Sequence, residues 1–309
     1  MSGPKMRRKK GRAISGWVNF DKPLEMGSTQ AVGKIRRLFD AQKAGHAGTL
    51  DPLASGILPI ALGEATKTVS FMQEADKSYE VMVAFGSQTT TDDAEGEIMA
   101  ESEMRPEAAA IEAALAHFTG MIDQVPPQFS AIRKDGQRAY ALARAGKKVD
   151  LGARKVRIDK ISLLEKRDAA HAKLKVDCGK GVYIRALARD LGLFLGGFAH
   201  VSALRRTRVG KFDEKTALGL EKLTALGHIA PDLAALDACL LPFETALDDI
   251  PALALDDDTA SRIKQGQAIS PPDPVIAGHV LLTHHGQALA IAAMDDEAGL
   301  LKPRRVFNL

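Results

Sequence analysis

The sequence predicts an α+β fold with a largely antiparallel sheet. Segments of alternating apolar and polar residues are interleaved with segments of helical spacing. Adjacent strand-like segments are joined by short turns, without the crossover helices that a wholly parallel sheet needs. No internal repeat runs through the chain, so a solenoid or propeller is not expected.

The elements follow in order. Gly16 to Pro23 (GWVNFDKP) reads as a short strand stopped by its proline. Ser28-Thr29 is placed to cap a helix with Val32, Ile35 and Leu38 at helical spacing and Lys34, Arg36 and Arg37 facing out. A glycine-flexed loop follows, then the short apolar run Ile57 to Leu62 and a helix around Glu64 to Met72. Lys77 to Gly86 alternates as a half-buried strand, Thr89 to Gly96 is a polar, acidic loop, and Pro106 to Phe118 is an amphipathic helix. The stretch that begins Gln124-Val125-Pro126-Pro127 turns basic at Arg133 and stays so through Arg144, Lys147, Lys148, Arg154, Lys155 and Arg157. It reads as a positively charged excursion over about 124–157. Strands near Ile158 to Lys166 and His171 to Cys178, a Gly179-Lys180-Gly181 turn, a helix from Tyr183 to Leu195 and a strand from His200 to Gly210 complete the larger part. After an Ala/Leu/Asp-rich helical section, Pro251 opens a small β-rich module. There, Val280 to Thr283 and Ala288 to Ile291 flank a His284-His285-Gly286 hairpin turn. The expected division is a basic disordered tail over 1–14, a larger domain over 15–250 and a compact module over 251–309.

With 309 residues, 45% of them hydrophobic and 26% charged, the composition is that of a soluble globular protein. A net charge of +3 makes no case for nucleic acid, but its distribution is uneven. Lys5 to Arg12 holds six basic residues in eight, whereas Asp248-Asp249 and Asp256 to Asp258 are acidic clusters. The two cysteines, Cys178 and Cys239, form no CxxC or Cys/His metal spacing, so no structural zinc and no metal cofactor are expected. Without a membrane-length apolar segment or a signal peptide, a cytoplasmic protein with no membrane partner is expected.

The stretch GHAGTLDPLASGILPI, from Gly45 to Ile60, holds one carboxylate, Asp51, and the nearest other acids in sequence are Asp40 and Glu64. Asp-Pro on its own reads as a helix start, with Asp51 as N-cap. Against that, Gly45 and Gly48 allow a ligand to approach closely. A carboxylate can also act as a covalent nucleophile toward a sugar carbon or an electrophilic ring. Such a nucleophile must be ionised, which asks for a cationic neighbour, and Arg185 after the Gly-Lys-Gly turn is the candidate. His46 reads either as a locally hydrogen-bonded loop histidine or as a substrate contact. Tyr79 and Tyr183 read either as core aromatics or as rings that stack on a nucleobase. Each lies two positions from a basic residue, Lys77 and Arg185 respectively. Neither GxxxxGKT/S nor GxGxxG occurs, so no nucleotide-cradling loop is expected.

Taken together, the GHAGTLDP loop, Lys77-Ser78-Tyr79, the PPQFSAIRKDG segment, Cys178 to Arg185 (CGKGVYIR) and His200 to Arg206 resemble the TruB family of pseudouridine synthases, in that family's order over about residues 16 to 216. The resemblance implies a pseudouridine synthase fold, a curved, mainly antiparallel mixed sheet flanked by helices. It implies a small PUA-like RNA-binding module at the C-terminus. The implied reaction, without cofactor, turns the uridine at position 55 in the tRNA T loop into pseudouridine. Asp51 matches the family's essential aspartate, Tyr79 its base-stacking tyrosine and Arg185 the arginine paired with the aspartate. His46, Tyr183 and Leu204 match substrate-contacting positions, and Lys22 lies in the family's Lys-Pro motif. The basic excursion resembles the insertion that closes over the T stem-loop, and a monomer with tRNA as its partner is expected. Arg205, Arg206 and Arg208 are expected to grip phosphates. Departures from the family pattern are Ala47, Gly179 and Val182, none of which alters a charged or aromatic group.

Overall fold

The computed structural model describes residues 11–130, 132–134, 136–146, 149–229, 233–271, 278–295 and 297–308. Most of the expected tail, 1–10, lies outside the described residues. Arg12 does not: its backbone bridges to Ala41 and its guanidinium pairs with Asp237.

The chain opens with β1 (Gly16–Lys22), α1 (Ser28–Leu38), β2 (Ala44–His46) and β3 (Ala54–Leu62). A 3-10 turn, Gly63–Thr68, leads into α2 (Val69–Glu74), so the single expected helix is split. Next come β4 (Lys77–Phe85), the hairpin β5 (Ser87–Thr89) and β6 (Ile98–Glu101), α3 (Ala108–Leu115) and β7 (Gly120–Gln124). The basic excursion carries β8 (Arg133–Lys134), β9 (Gln137–Arg138) and α4 (Ala139–Arg144). Then follow β10 (Arg154–Lys166), β11 (His171–Cys178), α5 (Ile184–Phe194) and β12 (Ala199–Val209). β13 (Phe212–Asp213), β14 (Leu218–Gly219), α6 (Leu220–Ile229) and α7 (Ala234–Asp237) finish the larger part. The module holds β15 (Ala252–Ala254), α8 (Asp257–Lys264), β16 (His279–His284), β17 (Gln287–Asp295) and β18 (Leu300–Val306).

The central sheet runs β14-β1-β3-β12-β4-β11-β10-β7, with β2 on β3 and β13 on β12. Only the β1–β14 and β3–β12 pairs are parallel; the rest are antiparallel. The decisive feature is the late strand β12, inserted between two early ones. Leu204 faces Ala54 of β3 on one side and Val81 of β4 on the other. Residues about 150 positions apart thereby become neighbours.

Helix α5 covers this centre. Ile184, Leu187, Ala188 and Leu191 recur at i, i+3, i+4 and i+7 and are buried with Val81, Val83, Val176 and Val201. On another part of the sheet, Ala31 and Ile35 of α1 pack with Phe20, Leu58 and Ile60. The excursion springs from the sheet edge, since β7 and β10 pair from Gln124–Arg154 to Gly120–Ile158.

The module is a four-stranded sheet, β15-β16-β17-β18, with α8 packed on it. Alternation sends Val280 and Leu282 to its own core and Leu281 to a shared one. That shared core joins Leu281, Ile291 and Phe307 to Trp17, Phe212 and Phe243, with the Phe243 and Phe307 rings 4.8 Å apart.

Two local readings are corrected. Ser28 does not cap α1: Gly27 occupies the cap position, and the Ser28 hydroxyl both donates to the Leu50 carbonyl and accepts from its amide, each at 2.8 Å. Asp51 starts no helix. It heads a turn closed by Ala54 N–H donating to its carbonyl at 3.0 Å, after which β3 begins. The strand wins because residues 54–62 are recruited by β1 and β12 on both sides.

Candidate active site

The loop that presents Asp51 is tied down along its length. Ala47 N–H donates to Pro59, Ser28 holds Leu50, and Glu25 N–H donates to Pro52. Beneath it lies Arg206, a fully buried arginine on β12. Its Nε donates to the Ile57 carbonyl at 2.7 Å, and its terminal nitrogens donate to Thr49 and Gly48 at 3.3 Å each. β12 reaches this depth because Gly56 lets it. Gly56 sits at φ +103°, and a Cβ there would stand 2.2 Å from the Arg206 carbonyl oxygen. The expectation that Arg206 grips phosphate is therefore wrong: the side chain is fully buried and its donors are turned to the loop, to β3 and to Tyr79. Arg205 is paired with Asp21 and Glu214, and Arg208 is bonded to Ser78 and Gly210.

Arg185, in the first turn of α5, is buried and faces Asp51, Nη2 to Oδ2 at 3.1 Å. The same guanidinium donates to the Thr91 and Phe129 carbonyls at 2.8 and 2.9 Å and faces Asp93 Oδ2 at 3.4 Å. Asp93 is buried, and its other oxygen accepts from the Thr91 hydroxyl at 2.5 Å and the Glu95 amide at 3.0 Å. Residues 92–94 are stitched to Val201 of β12 by two backbone bonds. Asp51 itself keeps 38% of its side chain exposed. Although Asp51 is alone in its stretch of sequence, the fold brings a second carboxylate to the far side of its arginine. Sequence reasoning missed Asp93 because its loop read only as polar and acidic.

Three of the expected residues converge. Asp51, Arg185 and Leu204 line one crevice together with Leu53, Ala54, Asp93 and Val201, with about 10 Å³ of free space. Tyr79 on β4 is buried, and burial raises its phenol above the ordinary tyrosine range despite the opposing Arg206 charge. Tyr183 caps α5 and exchanges backbone hydrogen bonds with the Gln124 amide, at 2.8 and 3.1 Å. Burial also raises its phenol. Lys22 is fully buried, donates to Pro23 and Met26 at 2.9 and 2.8 Å, and is lowered to about 8 by desolvation, with Asp51 opposing. His46, on β2, is pushed down by burial and by Arg206, and its Nδ1 is buried without a hydrogen-bond partner.

Chemically, the crevice offers a carboxylate fixed against a guanidinium and an apolar wall of Leu53, Val201 and Leu204, with the buried Tyr79 phenol within electrostatic reach of the carboxylate. Comparison with known proteins gives a consistent picture. The chain matches models of the TruB family pseudouridylate synthase N-terminal domain over residues 36–184 and the tRNA pseudouridylate synthase B C-terminal domain over 185–248. Residues 251–307 match a pseudouridine synthase II TruB C-terminal model. It is 52% identical to tRNA pseudouridine synthase B of Caulobacter sp. (strain K31), over 98% of this chain and 99% of that protein. It is 50% identical to the protein of the same name from Agrobacterium fabrum, over 98% and 97%. A solved Cbf5–Nop10–Gar1 complex contains a chain of similar fold, with TM-score 0.72 and 26% identity over 95% of this chain and 85% of that one.

Proposed function

This chain belongs to the TruB family of pseudouridylate synthases, and we propose that it converts the uridine at position 55 of the tRNA T loop to pseudouridine, with Asp51 as nucleophile. The observation that carries the reading is the Asp51–Arg185 pair at 3.1 Å beside an apolar crevice. Relatives about half identical over nearly the whole chain carry the name tRNA pseudouridine synthase B, which supports tRNA as substrate.

The chemistry follows from the residues. A base stacked in a folded loop must leave its stack before its sugar is within reach. The crevice has room for about one water, so the flipped nucleotide enters as the excursion, whose Phe129 carbonyl holds Arg185, gives way. Asp51 attacks as a carboxylate and the glycosidic C1′–N1 bond breaks. The uracil turns inside the closed pocket, C5 bonds to C1′, the bond between Asp51 and the substrate breaks, and the proton lost from C5 is matched by one taken up at N1. Substrate and product have the same atoms and oxidation state, so the reaction needs no cofactor. Tyr79, kept a neutral phenol, provides a platform for the base, and Leu204 walls the pocket so that free uracil stays. Arg144 and Arg154, both exposed on the excursion, meet phosphates in this reading.

The test is a full-length tRNA transcript treated with the protein and mapped for pseudouridine. Product at position 55, abolished when that uridine is replaced by cytidine, is expected. Product only at other positions contradicts the assignment.

A further inference from the structure

The C-terminal module holds a side-chain group that the isomerisation does not use. β16 ends at His284, and His285 and Gly286, at φ 50° and 76°, turn the chain into β17. Positive φ at both central residues is the hairpin geometry that suits strand twist. It sets the two imidazoles beside each other, their centroids 4.0 Å apart. The N-terminus of α8 meets them. Asp256 caps that helix through the Thr259 amide at 2.7 Å, which leaves the next carboxylate, Asp257, free to face the hairpin. Asp257 Oδ1 lies 2.8 Å from His284 Nε2 and 3.1 Å from His285 Nε2. The three candidate ligand atoms all fall within 4.8 Å of one another.

We propose that Asp257, His284 and His285 form a surface binding site for a divalent transition metal of the zinc class. Two imidazole nitrogens with one carboxylate oxygen suit zinc and its first-row neighbours, whereas magnesium and calcium ask for oxygen donors. Zinc bonds of about 2.0–2.2 Å in tetrahedral array hold ligand atoms roughly 3.3 Å apart. The separations of 2.8 and 3.1 Å reach that value with shifts of a few tenths of an ångström. Such shifts are easy for Asp257 and His285, whose side chains are 82% and 76% exposed. Both Nε2 atoms otherwise compete for one carboxylate oxygen; an ion accepts a lone pair from each. Exposure also leaves the remaining coordination positions to water. The bound ion would pin α8 to the β16–β17 hairpin, joining residues 27 positions apart in sequence.

The test uses full-length, tag-free protein titrated with zinc chloride in a calorimeter, with cobalt chloride followed by absorption. One equivalent of zinc is expected, along with cobalt bands of low coordination number and no competition from equimolar magnesium. His285→Asn keeps a residue that tolerates the positive φ of the turn, and Asp257→Asn keeps the shape. Each is expected to weaken zinc binding about tenfold or more while leaving pseudouridine formation unchanged, which also reports that the fold survives. Absence of stoichiometric zinc binding by the wild type, or binding that neither substitution weakens, overturns the site.

Discussion

Arg185 divides one guanidinium between two carboxylates and two backbone carbonyls, so its position depends on every one of them. Asp93 is the buried partner, facing Arg185 Nη1 while Asp51 faces Nη2. Asp93→Asn keeps the shape and removes the charge that draws Nη1 away from Asp51. We expect kcat to fall on the order of 10–100-fold with KM for RNA little changed, because small misplacement at a reacting group is costly. Steady-state kinetics on a T stem-loop RNA checks this, and an unchanged kcat would refute it. A second residue-scale prediction concerns Lys77, which donates to Gln73 and Ala75 and is lowered by burial to about 8 from an ordinary 10.5. Below about pH 8 both folded and unfolded chains carry the proton, and folding bears the penalty of burying it. Between about 8 and 10.5 only the unfolded chain binds it, so this group's contribution to stability rises with pH. Urea midpoints from pH 7 to 10 should show the wild type gaining on Lys77→Met; losing ground instead would contradict the burial account. Part of this scale was legible: Asp51, Arg185 and Leu204 line one crevice, and Lys22, Tyr79 and Tyr183 lie within electrostatic reach of Asp51. Arg206 and Asp93 were not. An arginine amid Arg205-Arg206-Thr207-Arg208 has the sequence appearance of a solvated strand, and only the insertion of that strand between two others buries it.

Elements contribute through their order in the sheet. β12 lies between β3 and β4, and Gly56 allows the contact that seats Arg206 under the nucleophile loop. Gly56→Ala therefore meets both a positive φ and a backbone clash. We expect a loss of at least about 1–3 kcal/mol in folding stability, with activity falling further than stability, measured by urea denaturation and turnover side by side. A variant that turns over at the wild-type rate would show that the loop does not depend on this crossing. The excursion acts differently, through charge. Arg154→Ala should weaken RNA binding and reduce the slope of log affinity against log salt by about 0.7; an unchanged slope would show that this arginine meets no phosphate. Its base was readable in part, because the Pro126-Pro127 pair comes just after β7 and the basic bias ends at Arg157, within β10. The helix-cap reading of Asp51-Pro52 failed because strand pairing on both sides of 54–62 outweighed a local preference worth about 1 kcal/mol.

At the scale of the whole molecule, the C-terminal module is continuous with the rest through the core of Trp17, Phe243, Ile291 and Phe307. Its strands and hairpin were legible from alternation, but the shared core was not, because Leu281 and Phe307 look like module residues until their partners are known. Phe307→Ala should destabilise the chain by about 3–5 kcal/mol and lower a single thermal transition; loss of a separate, module-only transition would contradict a shared core. The central claim concerns the larger part, namely that Asp51, aimed by Arg185, is the nucleophile of a uridine-to-pseudouridine isomerisation. The most direct measurement is single-turnover product formation on a T stem-loop RNA by the wild type and by Asp51→Asn, with RNA binding measured in parallel. Pseudouridine from the wild type and none from the variant, at similar affinity, is the predicted result. Product from Asp51→Asn at the wild-type rate would contradict it.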